Sequence, residues 1–327
     1  MADRFNPLTT KYPIWNAGMG AGMAGPELVN GISKAGGFGV LGVGGLPSNV
    51  ISELVKKTRQ LTSQPFGANI ILPMSNGQDI ASCFDEKVEV IVLFWGDPQP
   101  FVKDAHKRGV FLVTQCGDVE EASTAASNGV DAIIIQGIEA GGHVKGEIEL
   151  SLFLEEAHRE LGKIPLIAAG GISSGKEIAK FLTKRKARAV SLGTRFAAST
   201  EARASNTYKE SLVASSSKDT VLTSLYNVGW RDAKHRVIRT KSYEDWVLQG
   251  SPASGSREDE GMRIGKIKIG SEEVDIPKYS VYPPILGFEG DERELPFYAG
   301  QSVQGIQKIE SIGKIVEQLV KEMQEYN

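Results

Sequence analysis

Residues 165–194 read PLIAAGGISSGKEIAKFLTKRKARAVSLGT. An apolar run from Pro165 to Ala169 ends in Gly170 and Gly171, a helical segment from Ser174 to Lys184 follows, and a second apolar run, Ala189 to Leu192, ends in Gly193 and Thr194. Strands that are apolar throughout, rather than alternating, belong to a parallel sheet covered on both faces. Reading outward, the same rhythm recurs. Strands are predicted at Pro13–Ala17, Phe38–Leu41, Phe66–Leu72, Val88–Phe94, Val110–Val113 and Ala132–Ile135. Between them lie helical stretches at Pro26–Ala35, Asn49–Leu61, Pro100–Arg108, Asp118–Ser127 and Leu152–Leu161. Pro26 suits a first helical turn, Asp118 an N-cap, and Gly129 the position past a helix end. Eight units within roughly the first 215 residues predict an α/β protein built as a (β/α)8 TIM barrel. The rival, a doubly wound sheet, usually carries its phosphate loop after the first strand, whereas here the best glycine pairs follow strands seven and eight.

After Ser217 the period is lost. Residues 1–217 read as the barrel and 218–300 as an inserted lid or substrate region, with a polar segment at 251–261 and prolines near Tyr279–Leu286. The path of residues 251–294 is not set by any periodicity. The tail, 301–327, reads as a helix from Ser302 to Gln324 packing back on the barrel, with Ile306, Ile309, Ile312, Ile315, Val316, Leu319 and Met323 on one face.

A net charge of −3 and a pI near 5.9 carry no nucleic-acid signature, and Lys184-Arg185-Lys186 reads as a solvated helix end. No apolar stretch of spanning length occurs, and Met1–Trp15 lacks a signal-peptide pattern, so a cytoplasmic protein is expected, without membrane partners. Cys83 and Cys116 have no metal or redox spacing and read as buried thiols.

Chemistry concentrates where strands end. Directly after the sixth strand stands QGIEAGGH, Gln136 to His143, which sets an imidazole beside a glycine loop. Such a ring can move a proton near neutral pH. Of the other histidines, His106 and His158 read as solvated, and His235 as a lid residue that could reach a substrate but reads more simply as superficial. Gly170, Gly171, Ser191, Leu192, Gly193 and Thr194 form the two loops that in barrels commonly bind phosphate, unless their glycines only permit tight turns. Ala17, Gly18 and Met19 after the first strand suit a flat ring system, and Asn69, within the apolar run Ala68–Ile71, either caps a backbone turn or reads a ligand edge.

Taken together, residues 13–20 (PIWNAGMG), 33–42, 66–70, 129–146, 164–179, 191–202 and 299–306 (AGQSVQGI) resemble the FMN-dependent nitronate monooxygenase (2-nitropropane dioxygenase) family. The likeness spans nearly the whole chain and is weakest from 251 to 294. It implies an FMN barrel with phosphate at Gly170, Gly171, Gly193 and Thr194 and flavin lined by Gly18, Met19, Asn69, Gln136 and Gly141, with Ala17, Gly142, Ser191 and Leu192 beside them. It also implies oxidation of alkyl nitronates by O2 to a carbonyl compound and nitrite, with His143 as the active-site base or hydrogen-bond donor. Small-molecule partners are implied, and a homodimer is left open. Two positions depart from the family pattern: Gly18 replaces the usual proline, and Asn16 stands where Gln is common. The glycine resembles relatives that reduce enoyl thioesters, so the alternative is an NAD(P)H-dependent FMN reductase of enoyl thioesters or quinones. A barrel that has lost catalysis is disfavoured by Asn69, Gln136 and His143.

Overall fold

The structure, a computed structural model, describes residues 4–326. Six parallel strands come first: β1 (Ile14–Asn16), β2 (Val40–Gly42), β3 (Gly67–Ile71), β4 (Val90–Phe94), β5 (Phe111–Cys116) and β6 (Ala132–Gln136). The two-residue β7 (Gly142–His143) leaves the barrel, which β8 (Leu166–Ala169) and β9 (Ala189–Leu192) complete. The eight strands are ordered β1-β9-β8-β6-β5-β4-β3-β2. Trp15 bridges Phe38 in parallel across the remaining gap, and the Phe38 N–H donates to Ile14 O at 2.9 Å. The seam is finished by a side chain. Asn16 Oδ1 accepts from the Val40 N–H at 2.8 Å while its Nδ2 donates to Val40 O at 2.7 Å, so one amide stands in for a rung of the ladder. This is a structural reason for asparagine at position 16.

The strand period of two divides the interior from the outer layer. Val90, Val92, Phe111, Val113, Ala132, Ile134 and Ile167 fill the barrel with Trp15 and Phe38, whereas Ile91, Leu93, Leu112, Ile133 and Ile135 face the helices. Phe5 stacks on Phe38 beneath the barrel, at 5.9 Å between ring centroids.

Helices α1 (Pro26–Lys34), α2 (Ser48–Leu61), α3 (Gln78–Asp85), α4 (Gln99–Lys107), α5 (Val119–Asn128), α6 (Leu150–Glu160) and α7 (Gly175–Thr183) follow successive barrel strands. Asp118 caps α5 by accepting from the Glu121 N–H, and left-handed Gly129 ends it. Only the four-residue α8 (Thr194–Ala197) follows β9, and α9 (Asn206–Ala214) packs with the region beyond it. The eighth outer position is taken by α11, the last helix, described below.

From 218 onward, β10 (Thr220–Thr223) and β11 (His235–Ile238) pair antiparallel, and β7 joins them as a third strand with His143 opposite His235. Then come α10 (Lys241–Leu248) and the hairpin of β12 (Arg263–Ile269) and β13 (Glu272–Pro277), with β14 (Glu289–Gly290) on the other edge of β12. The expected helix over Ser302–Gln324 is corrected: Gln301–Gly305 is a short 3-10 turn, and α11 spans Ile312–Tyr326. Gly305 lies too close to Ser173 for any side chain there, Ile306 joins the apolar cluster of the inserted region, and Ile309 is exposed. The α11 residues Ile312, Ile315, Val316, Leu319 and Val320 are buried in the barrel's outer core, between α7 and α1.

Two further corrections follow. Strand five does not stop at Val113 but runs to Cys116, and His235 is buried rather than superficial. Cys83 and Cys116 are free and buried, and burial pushes the Cys83 thiol up to about 12. Among the described residues no helix is long and apolar enough to cross a membrane.

Candidate active site at the carboxyl end of the barrel

A cavity opens over the carboxyl ends of the strands. Its floor is the last inward-facing residue, or the one just after it, of seven of the eight barrel strands, as parity requires: Ala17, Asn69, Phe94, Gln115, Gln136, Ala169 and Ser191. Gln115 lies beyond a strand end placed at Val113, which is why reading the sequence missed it. All thirteen residues expected to bind cofactor line this cavity, and so does His143. Among the described residues no Asp, Glu, Lys or Arg lines it.

The glycines there serve distinct purposes. Gly170 and Gly171 have φ of 109° and 71°, a left-handed turn in which side chains are strained. Gly141 presses against the Gly300 backbone, so that a Cβ would overlap it. Gly18 yields its space to the Asn69 side chain, whose Nδ2 donates to Val92 O at 3.2 Å. A proline at position 18 would collide with Asn69, which gives that departure from the family pattern a packing cause.

Backbone N–H groups of Gly171, Ile172, Gly193 and Thr194 have no protein acceptor among the described residues. All four residues line the cavity, on the loops that follow the adjacent strands β8 and β9. The Thr194 hydroxyl accepts from the Gly300 N–H at 3.0 Å.

Gln136 lines the cavity, but its amide is engaged in shaping the loop that carries His143. Its Nε2 donates to His143 O at 2.9 Å, and its Oε1 accepts from the Lys145 N–H at 3.3 Å. The Val144 N–H donates to Lys234 O at 2.9 Å, extending the β7–β11 pairing. The His143 ring thereby enters the cavity from the edge strand of the inserted sheet. Burial holds its proton affinity well below the ordinary imidazole value, with His235 adding to the effect, so the ring is neutral at pH 7. Nε2 is buried and has no protein partner among the described residues.

His235 is a different kind of histidine. Its Nδ1 donates to Ala233 O at 2.9 Å and its Nε2 accepts from the Tyr226 N–H at 3.2 Å, so protonation would set two N–H groups against each other. Burial depresses it to about 4. His106 remains partly exposed beside Asp131, while His158 is half-buried against Arg185 O.

The sequence predicts a lid, but not that its aromatic side chains lie on His143. Trp230 stacks on the imidazole at 4.1 Å and 25°, and Tyr298 stands 5.6 Å away. Trp95, at φ 64°, meets it edge-on at 6.4 Å. Tyr282, Val281 and Pro283 close the far wall. The left-handed tryptophan carries no local signal in sequence, and Trp230 reaches His143 only through the β7–β11 pairing.

Comparison with known proteins accords with this geometry. The profile of the nitronate monooxygenase family matches residues 4–89 and 76–322. The chain belongs to the nitronate monooxygenase family. It is therefore an oxidoreductase of that family. A probable nitronate monooxygenase of Staphylococcus saprophyticus is 26% identical over 371 residues, covering 97% of this chain and 96% of that protein. A (3aS,4S,5R,7aS)-5-hydroxy-7a-methyl-1-oxo-octahydro-1H-indene-4-carboxyl-CoA dehydrogenase of Rhodococcus jostii is 32% identical over 70% of this chain, which spans 63% of that protein's length. The structure of FabK from Thermotoga maritima superposes with a TM-score of 0.78 at 28% identity, over 98% of this chain and 94% of that one.

Proposed function

We propose that this family member binds FMN and oxidises alkyl nitronates, and nitroalkanes after deprotonation, with O2 to a carbonyl compound and nitrite. The observation that carries this reading is a neutral, buried imidazole facing an uncharged cavity floored by glycine and amide groups. The residues present fit the cofactor. The unpaired N–H groups of Gly171, Ile172, Gly193 and Thr194 would hold its phosphate, as oriented backbone amides hold anions without a cationic side chain. Ala17, Gly18, Met19, Asn69, Gly141 and Gly142 would line the ring system, with Gly170, Ser191 and Leu192 between ring and phosphate and Gln136 bracing the loop. When bound, the flavin supplies the route for electrons from substrate to O2.

The chain's own residues do the rest. Neutral His143 can take the α-proton of a nitroalkane or donate its ring N–H to a nitronate oxygen. Phe94, Trp230, Val281 and Tyr298 keep water from the reacting carbon.

A second reading, an NAD(P)H-dependent reductase of enoyl thioesters or quinones, is favoured by the wide apolar wall of Met23, Ile71, Met74, Tyr282 and Pro283. The likeness to an enzyme named for a carboxyl-CoA substrate favours it too. Anaerobic mixing with ethylnitronate, and separately with NADH and NADPH, decides between them. Bleaching of the 450 nm band by ethylnitronate alone is expected, and rapid bleaching by a reduced nicotinamide alone would replace the first reading by the second. A protein that takes up no FMN would overturn both.

A further inference from the structure

We propose that Trp230 is the positioning residue of this site, fixing by stacking the orientation in which the His143 imidazole meets substrate. The proposal rests on the reading of His143 as the group that meets the substrate, taking the α-proton of a nitroalkane or donating its ring N–H to a nitronate oxygen. Catalytic imidazoles are ordinarily aimed by a hydrogen bond from the ring nitrogen that does not face substrate, made to a carboxylate or a carbonyl. His143 has no such tether. Its backbone is braced by Gln136 and by Lys234 O, but its buried Nε2 meets no protein partner among the described residues.

What restrains the ring is aromatic surface. His235 at 5.3 Å and 62°, Tyr298 at 5.6 Å and 47°, and Trp95 at 6.4 Å and 90° all present edges or tilted faces. Trp230 alone lies nearly parallel, at 4.1 Å and 25°. A parallel contact fixes the plane of a ring, which edges leave free to rock about χ2.

Trp230 is itself held firmly enough to act as a reference surface. It is 8% exposed, its indole meets Phe94 at 6.3 Å and Trp95 at 5.0 Å, both edge-on, and its backbone N–H donates to Asn227 O at 3.1 Å. Phe94 ends a barrel strand, so the insertion's tryptophan is referenced to the barrel floor. Trp230 also lines the cavity, within reach of substrate, so a plain wall role is the alternative to be separated.

The test uses the FMN-loaded protein, the variants Trp230→Met and Trp230→Phe, and histidine-labelled NMR. In the wild type, the His143 ring-carbon proton signal, assigned by its loss in His143→Ala, is expected to be shifted by the indole ring current. In Trp230→Met it should move toward the position of free histidine. With alkyl nitronate as substrate, Trp230→Met is expected to lower kcat about tenfold with KM changed less than about threefold, because misplacement of a reacting group is felt in the chemical step. Trp230→Phe, which keeps a stacking face, should recover kcat to within about threefold. An unshifted His143 signal in the wild type overturns the proposal without recourse to any variant. A rise in KM at unchanged kcat overturns it in favour of the wall. Undiminished turnover in His143→Ala removes the underlying reading instead, and the ring-current result then still reports whether the stack exists.

Discussion

The floor of the cavity and its roof are built on opposite principles. The floor comes from barrel strands and their loops and offers backbone amides, glycines and the side-chain amides of Asn69, Gln115 and Gln136. The roof comes mainly from the inserted region and offers aromatic faces, with no charge on either side. His143 belongs to both, since its loop leaves β6 of the barrel and becomes the edge strand of the inserted sheet. On the proposed function, a periodic scaffold holds the cofactor side, while a non-periodic one shapes the reacting side, where specificity can change without disturbing the barrel.

The most severe way to break that division is at its junction. His143→Ala is expected to lower turnover of alkyl nitronates by about 10²-fold or more, the range for loss of an oriented hydrogen-bond donor to the reacting anion, while flavin absorbance is retained. Unchanged steady-state turnover would separate the roof from the chemistry. At the floor, Asn16→Ala removes both bonds to Val40 and leaves a buried N–H and C=O unpaired, so urea unfolding should show a loss of about 2.5 kcal/mol. No loss would mean that the seam is held by Trp15 and Phe38 alone.

The roof should respond to pH. His235 in the folded state has its proton affinity lowered to about 4 against an ordinary value of 6.5, so the unfolded chain binds the proton more readily. Its contribution is fully present above about pH 6.5 and is lost as pH falls toward 4, by about 2 kcal/mol at pH 5. His143 acts in the same direction. Thermal unfolding should show this acid slope, and His235→Gln should flatten it; an unaltered slope would place the acid sensitivity elsewhere. The smallest effect is expected at Gly18→Ala, which displaces Asn69 and should weaken FMN binding about tenfold by fluorescence titration. Adding Asn69→Gly should recover part of that loss, and strict additivity would deny that the two residues share one space.

The same contrast explains what could be read from sequence. Strands such as Val90–Phe94 and Ala132–Gln136, with capped helices between them, announce themselves locally, and the glycine loops fall at their ends by register. His143 was legible for that reason. His235 was not, because its environment is set by pairing with a residue on β7 far back in the chain. Trp230 and Trp95 were missed for the same reason. The eighth outer helix was placed only roughly, because Ile306 and Ile309 continue the apolar spacing of α11 into a segment that Gly305 and Ser173 keep out of helix.

The contact between Gly141 and Gly300 has a consequence in time. The Gly300 N–H reaches Thr194, and the Gln301 N–H reaches Glu139 O at 2.9 Å, just before α11 closes the outer ring. As the chain emerges from the ribosome, strands β1 to β9 are available early, but the loop carrying His143 lacks its partner strand until β11 has been made, and its contacts with Gly300 and Gln301 until residue 301 has been made. The His143 ring is therefore among the later parts of the molecule to be set in place, and a chain cut short before Gly300 would carry the glycine loops after β8 and β9 without the finished cavity.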